Sequence, residues 1–362
     1  MNRIRTGFSA RLDLRLPLVQ APMAGGPSSP ELVAAASAAG ALGSFGCAYL
    51  QPEEMKKQAA WVRARTARPF GINLFVAAQP GVIPEAAQRA AIDAVAGCYA
   101  QLGLPAPAPV APPYAPDLEA QLDAVLEIRP AVFTVHLGEL AAERVRACKA
   151  AGILLGGSAT GVAEAQRLEA AGMDFVIAQG GEAGGHRGTW TRDPAEAMTG
   201  TLALTRLLVR AVKIPVLAAG GIMDGAGIAA ALALGAQAAQ LGTAFITCAE
   251  SGAAALHKQA LLAAREDTTM ITQKFSGKPA RGLANRYMRE MAEAPQLAFP
   301  AQNTLTGRLR SASAQAGNPD YVAMWAGQAA PLARALPAAE LVAQLETELH
   351  AALASIAALS RE

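Results

Sequence analysis

The stretch Met173-Asp174-Phe175-Val176-Ile177-Ala178-Gln179-Gly180-Gly181-Glu182-Ala183-Gly184-Gly185-His186-Arg187-Gly188 holds the residues best suited to chemistry. Its run 175–178 is short and apolar, as a buried parallel strand is. Gln179 ends the run, and four glycines fall within positions 180–185. Lacking a Cβ, they let backbone N–H groups turn toward a bound group and approach it closely. His186 then supplies one imidazole, able to act as a general base or to donate a hydrogen bond to a developing anion. The glycines before it and Arg187 after it predict an exposed turn, which favours a catalytic role for His186. His136, His257 and His350 read as structural.

Other residues could serve the same site. Asn73 and Gln179 both close apolar runs. Each amide donates and accepts, and so can meet the edge of a heterocycle carrying N–H and C=O groups, or else satisfy loop backbone. Gly220-Gly221 and Gly242-Thr243 follow two further apolar runs. Bare N–H groups there, with the Thr243 hydroxyl, suit a phosphate; as ordinary turn glycines they need no ligand. Several familiar sites are excluded. The dinucleotide fingerprint fails at Glu182, where glycine is required, and no acidic residue follows at a second strand end. There is no Gly-Lys-Ser/Thr loop, no Gly-x-Ser-x-Gly elbow and no paired ligand spacing for a metal.

The elements that must position these groups follow a rhythm. Strand-like runs at 16–23, 42–47, 70–75, 132–136, 153–158, 175–178, 215–219 and 238–241 alternate with helical segments, among them 30–39, 52–65, 139–151, 161–171 and 225–234. Eight such runs predict an α/β fold, a (β/α)8 TIM barrel, with function at the strand ends and phosphate after the seventh and eighth strands. A doubly wound open sheet shares the alternation. Segment 76–116 holds a helix at 84–101 and a proline-rich passage at 105–116, too long for an ordinary connection, and reads as an insertion or lid. Beyond 265 the alternation stops: one strand at 271–275 is expected, then mainly helix to Ser360. The chain thus divides into a barrel (1–75 and 117–264), a lid (76–116) and a smaller, mainly helical covering domain (265–362).

Bulk properties narrow the class. With 52% apolar and 17% charged residues the chain can fill a large core, and a net charge of +2 with scattered basic residues leaves no footprint for nucleic acid. Cys47, Cys98, Cys148 and Cys248 form no Cys-x-x-Cys pair, which fits a reducing cytoplasm. The charges of residues 1–15 leave no signal-peptide core. The uncharged run 225–249 is long enough to span a bilayer, but its Gly, Gln and Thr content reads as a buried helix and a strand, so no membrane is expected. Homodimerisation is left open.

Taken together, Gln-Ala-Pro-Met-Ala-Gly at 20–25, Phe-Gly-Ile-Asn-Leu-Phe at 70–75, Ala-Gln-Gly-Gly-Glu-Ala-Gly-Gly-His at 178–186, Pro-Val-Leu-Ala-Ala-Gly-Gly-Ile at 215–222 and Gln-Leu-Gly-Thr at 240–243 resemble the nitronate monooxygenase family, formerly called 2-nitropropane dioxygenase. Segments 275–282 and 325–328 extend the similarity into the tail. The resemblance implies a flavin barrel whose FMN is held by Ala21, Pro22, Met23, Asn73, Gln179, Gly184, Gly185, Gly220, Gly221, Gln240, Leu241, Gly242 and Thr243. It implies His186 as the catalytic imidazole and a nitronate and O2 as substrates. Tyr114 and Ser276 are candidate pocket residues. Some relatives line the pocket with tyrosines and a lysine where this chain has Phe299-Pro300-Ala301-Gln302-Asn303. An NAD(P)H-dependent flavin reductase acting on a quinone or enoyl thioester shares the strand-end glycines, as does a non-catalytic binder of a phosphorylated ligand.

Overall fold

The computed structural model describes residues 4–359. Residues 1–3 of the charged opening stretch, and Ser360 with the outer bound at 362, lie outside the described residues. The chain forms strands β1 (Leu18–Gln20), β2 (Gly43–Gly46), β3 (Phe70–Phe75), β4 (Val132–His136), β5 (Leu154–Ala159), β6 (Phe175–Gln179), β7 (Gly185–His186), β8 (Val216–Ala219), β9 (Ala238–Leu241), β10 (Thr269–Thr272) and β11 (Ala280–Leu283). One parallel sheet runs β1-β9-β8-β6-β5-β4-β3-β2. Its two edges meet: Gln20 N–H donates to the Leu42 carbonyl and Leu42 N–H to the Leu18 carbonyl, each at 2.9 Å. This closure makes a TIM barrel and removes the open-sheet alternative.

Strand alternation decides what enters the barrel. In β6, Phe175 and Ile177 join the inner cluster with Val19, Val132, Leu154 and Leu217, while Val176 and Ala178 pack outward among the helices. The same period-2 rule carries Gln179 inward at the upper rim. In β3, Phe70, Ile72 and Leu74 face the helices, which leaves Gly71, Asn73 and Phe75 inside. In β9, Ala238 is inside and Leu241 is outside. Glycine at 156 makes room for the Phe175 ring, because a Cβ there would strike it. Phe8, from the opening helix Gly7–Arg11, meets Phe175 edge-on at 5.1 Å and closes the barrel floor. The inner floor is therefore filled, and space is left only at the C-terminal rim.

Two sequence expectations about the layers need correction. The final helix, Ala338–Ala358, does not sit in the covering unit. Its Leu341, Val342, Leu345 and Leu349 pack with Ile228 and Ala229 of helix Gly225–Ala233 and with Leu32 and Ala36 of helix Pro30–Ala38. It is the outer helix that the eighth barrel strand otherwise lacks. Nor does 76–116 stand apart as a free lid. Helix Glu85–Gln101 buries Ala91, Val95 and Tyr99 against Phe275, Tyr287, Leu305, Leu309 and Tyr321, and Tyr99 Oη donates to the Leu305 carbonyl at 2.6 Å. The insertion and the tail share one core, which only three-dimensional contact could reveal.

The expected strand at 271–275 lies two to three residues earlier, as β10. Its partner β11 falls where the sequence predicts mainly helix. The run 225–249 is a helix, a strand and the short helix Thr243–Ile246. Among the described residues no helix is long and apolar enough to cross a membrane.

At Gly225 the final helix packs tightly on helix Gly225–Ala233: a Cβ there would collide with Leu349 N and, at 2.5 Å, with the Glu348 carbonyl carbon. The Gly225 N–H donates to Glu348 Oε2 at 3.0 Å. Gly225→Ala is expected to destabilise the fold by about 1–3 kcal/mol through overpacking. Urea unfolding with a midpoint equal to wild type is the contrary outcome.

Candidate functional site

The barrel rim opens into a cavity of about 420 Å³, within the size range of small-molecule and cofactor sites. Most of the residues singled out in the sequence line it: Ala21, Pro22, Met23, Asn73, Gln179, Gly184, Gly185, His186, Gly220, Gly221, Gln240, Gly242 and Thr243. Three do not. Leu241 faces the outer helices, as its place in β9 dictates. Tyr114 is buried in the core shared by insertion and tail, where its carbonyl accepts from Thr304 Oγ1 at 3.3 Å. Ser276 is not on the wall, but it holds a group that is.

That group is His186. It lies on β7, and β7 pairs antiparallel with β11, with Ala280 opposite His186 and Arg281 opposite Gly185. The turn into β7 needs a left-handed residue, and Gly185 supplies it at φ +77°. His186 Nε2 lies 2.9 Å from Ser276 Oγ, whose hydroxyl also meets the Lys278 carbonyl at 3.1 Å. The ring is enclosed by Phe75, Phe299 and Trp325, with centroids at 5.7, 5.5 and 5.7 Å. The expected exposed turn is therefore a buried one. Desolvation pushes the imidazole down to about 3, reinforced by His136, Lys278 and Arg310, so His186 is neutral at neutral pH.

Arg187 is not exposed either; it is fully buried. Its Nη1 donates to Gln179 Oε1 (3.1 Å) and the Gly180 carbonyl (2.7 Å), its Nη2 to the carbonyls of Gln179 (3.0 Å) and Ala197 (2.8 Å). Burying a guanidinium costs several kcal/mol unless its donors are met, and these oxygens meet four of them. Burial still lowers it to about 10. Arg187 thereby ties the end of β6 to the loop carrying His186. Glu164, also buried, does the same one layer back: its carboxylate accepts from Thr160, Thr189, Trp190 and Thr191, and these bonds hold its pKa below the usual range against desolvation.

The two amides differ in what they offer. Gln179 spends three of its four hydrogen bonds on this loop: Oε1 accepts from Arg187 and from Gly188 N–H (2.7 Å), and Nε2 donates to the His186 carbonyl (2.9 Å). One N–H is left for the cavity. Asn73 spends both N–H donors on Thr134, at 3.1 and 2.9 Å, which leaves Oδ1 as an acceptor only. His136, expected to be structural, lines the cavity and donates from Nε2 to the His186 carbonyl at 3.2 Å; burial lowers it to about 4. His257 also lines the cavity, with Nε2 3.1 Å from the Trp325 carbonyl and burial again lowering it to about 4. Only His350, on the final helix, stays remote.

The glycine cradle is open. Gly220 and Gly221 sit at φ +121° and +68°. Among the described residues no protein acceptor takes the N–H of Gly221 or of Gly242. Thr243 Oγ1 accepts from Gly327 N–H at 3.0 Å and keeps its own proton free to donate. At Gly184 a Cβ would lie 2.6 Å from the Ala326 carbonyl carbon, so glycine there lets the segment 326–327 close over the rim. Unclaimed amides at one end, a lone acceptor and a partly free amide in the middle, and apolar walls fit a flat ligand with a phosphate tail. Sequence reading missed Arg310, Tyr49 and Trp325 on the wall. No spacing signalled them, because they come from the loop after β2 and from the tail.

A closed parallel barrel with its filled floor, its cavity at the C-terminal rim and amides clustered after the last two strands defines a TIM-barrel enzyme. A sequence model of nitronate monooxygenase matches residues 9–348. Nitronate monooxygenase of Paraburkholderia phytofirmans is 45% identical over 93% of this chain and 93% of its own length. That of Pseudomonas aeruginosa is 44% identical over 95% and 99%. The solved structure of nitroalkane oxidase from Streptomyces ansochromogenes superposes with a TM-score of 0.89 at 40% identity, covering 96% of this chain and 99% of that one. FabK from Thermotoga maritima superposes at 0.76 with 26% identity, covering 98% and 99%. The chain belongs to the nitronate monooxygenase family.

The three cavity histidines carry a consequence for stability. Their ordinary value is 6.5, and in the fold they titrate near 4, 3 and 4. Between those values the unfolded chain binds more protons than the folded one, so stability rises with pH. Their contribution is complete above 6.5 and drains away toward 3, at up to about 1.4 kcal/mol per pH unit for each histidine. Urea midpoints from pH 7 to pH 4 are expected to fall steadily; a flat midpoint down to pH 5 contradicts the assignment.

Proposed function

We infer that this enzyme oxidises alkyl nitronates, propionate 3-nitronate among them, with O2, yielding a carbonyl compound and nitrite or nitrate. FMN is the cofactor that the family resemblance implies, and when bound it supplies the electron chemistry that links nitronate to O2. The observation that carries this reading is a single cavity with unclaimed backbone amides at one end and a buried neutral imidazole at the other. Gly220, Gly221, Gly242 and Thr243 would hold the phosphate. Asn73 Oδ1 and the remaining Gln179 N–H would meet polar atoms of the ring, and Ala21, Pro22, Met23 and Gly184 would line its faces. The unit formed by 76–116 with the tail up to the final helix would exclude water above it.

His186 works through the tautomer that Ser276 selects. With the Ser276 proton on the Lys278 carbonyl, its oxygen accepts from His186 Nε2–H and leaves Nδ1 as a proton acceptor for the α-carbon of a neutral nitroalkane. With the hydroxyl turned to Nε2, Nδ1 carries the proton and donates to the oxygen of a nitronate. Both states are neutral, which suits a site kept dry by Phe75, Phe299 and Trp325.

His186→Asn with FMN retained is expected to lower nitroalkane turnover by roughly 10²–10⁴-fold, the usual worth of general base catalysis. Nitronate turnover, which needs no deprotonation, is expected to fall far less. Equal turnover of both substrates by variant and wild type removes His186 from the reaction. Rapid flavin bleaching by NADH under anaerobic conditions, with none by nitronate, favours the reductase instead.

A further inference from the structure

Arg310 is the one formally charged side chain, among the described residues, that lines the cavity. Among the described residues no aspartate, glutamate or lysine reaches the wall, and the histidines there are neutral. Arg310 stands on helix Gly307–Gln315. Its Nη2 donates to the Asn303 carbonyl (2.8 Å) and Oδ1 (2.9 Å), and its Nε to Thr306 Oγ1 (3.2 Å). These bonds fix the guanidinium plane. They leave Nη1, with two N–H donors, without a protein acceptor among the described residues. Among the described residues the groups that support its charge are the phenols of Tyr49, Tyr287 and Tyr99, none of them ionised at neutral pH.

A desolvated guanidinium with spare donors and no carboxylate is costly until a negative ligand completes it. We propose that Arg310 is the anion anchor of the substrate pocket, binding the charged head of the substrate through Nη1 and selecting ionised nitronates over the neutral nitroalkanes that give rise to them. This rests on the function inferred above. Its position favours the substrate over the phosphate. Arg310 and His186 line the same cavity, and the Arg310 charge adds to the lowering of the imidazole. Phe299, on the same segment as its anchor Asn303, packs 5.5 Å from that ring. The phosphate amides, in contrast, belong to the loops after β8 and β9. A fixed plane with N–H bonds in set directions matches the flat O–N–O of a nitronate, and a lysine in its place would present only a point charge.

The test uses FMN-loaded wild type, Arg310→Met and Arg310→Lys. Nitrite, a small planar anion, is titrated against each while the flavin absorbance is followed. Loss of one charge-assisted bond predicts a Kd about ten- to hundredfold higher for Arg310→Met, with Arg310→Lys between the two. Anaerobic flavin reduction then gives the ratio of nitronate to nitroalkane rate constants, expected to fall by a similar factor. A lowered melting temperature with unchanged nitrite affinity and unchanged ratio would mean that Arg310 only braces Asn303 and Thr306, and overturns the proposal. So does a wild type that binds no nitrite. If no nitronate reduces wild-type flavin, the inferred activity fails, whereas the nitrite series still decides the fate of Arg310. Should Arg310→Met lose FMN, Arg310→Lys carries the comparison.

Discussion

The ladder between β7 and β11 is the constraint on which the site depends. It is two residue pairs long, yet it joins the loop after the sixth barrel strand to a hairpin that lies nearly a hundred residues later in the chain. Strand pairing fixes backbone direction, and backbone direction fixes where the His186 ring points. On the tail side, Ser276 sets its hydrogen bond and Phe299 and Trp325 exclude water around it. On the barrel side, Arg187 and Gln179 hold the same loop from beneath. His186 is therefore held between two units that fold from distant parts of the sequence.

Dryness sets the electrostatics. A buried histidine loses the hydration that stabilises its cation, so all three cavity histidines stay neutral. A buried arginine cannot shed its proton in the same way, and Arg187 and Arg310 solve the problem differently. Arg187 spends both Nη nitrogens on four protein oxygens and becomes a brace. Arg310 does not, and keeps one nitrogen for the cavity. Two residues of one type, Arg187 fully buried and Arg310 partly buried at the cavity wall, thus divide into scaffold and recognition by how many oxygens surround them.

The glycines divide in a similar way. At Gly156 and Gly225 the missing Cβ admits a phenylalanine ring or a helix, which is packing. At Gly184 it admits the chain segment 326–327, and at Gly220 and Gly221 it permits a backbone turned to expose N–H groups. Position along the strand explains the split: the first kind lies within elements, the second at the rim where strands end.

Much of this was legible in the residues themselves. Apolar runs alternating with helices set the eight-strand α/β alternation, since hydrophobic periodicity is a local property that survives without knowledge of contacts. Glycine pairs after the last two runs marked the cradle, because only glycine serves where backbone must meet a ligand. What lay beyond reach was anything decided by distant partners. Arg187 read as exposed because charge usually is, and only the carbonyls converging on it make burial tolerable. Tyr114 read as a pocket residue because its partners in the tail core were unseen. The strand alternation that turns Leu241 outward was available but depended on knowing which neighbour shared its face. Sequence by itself determined the alternation of eight strands with helices, the rim glycines and the imidazole; closure of the sheet was left to tertiary contact. Tertiary structure alone decided that the imidazole is dry, that the last helix completes the barrel, and that Arg310 faces the cavity, because each of these depends on which surfaces meet and how much water they expel.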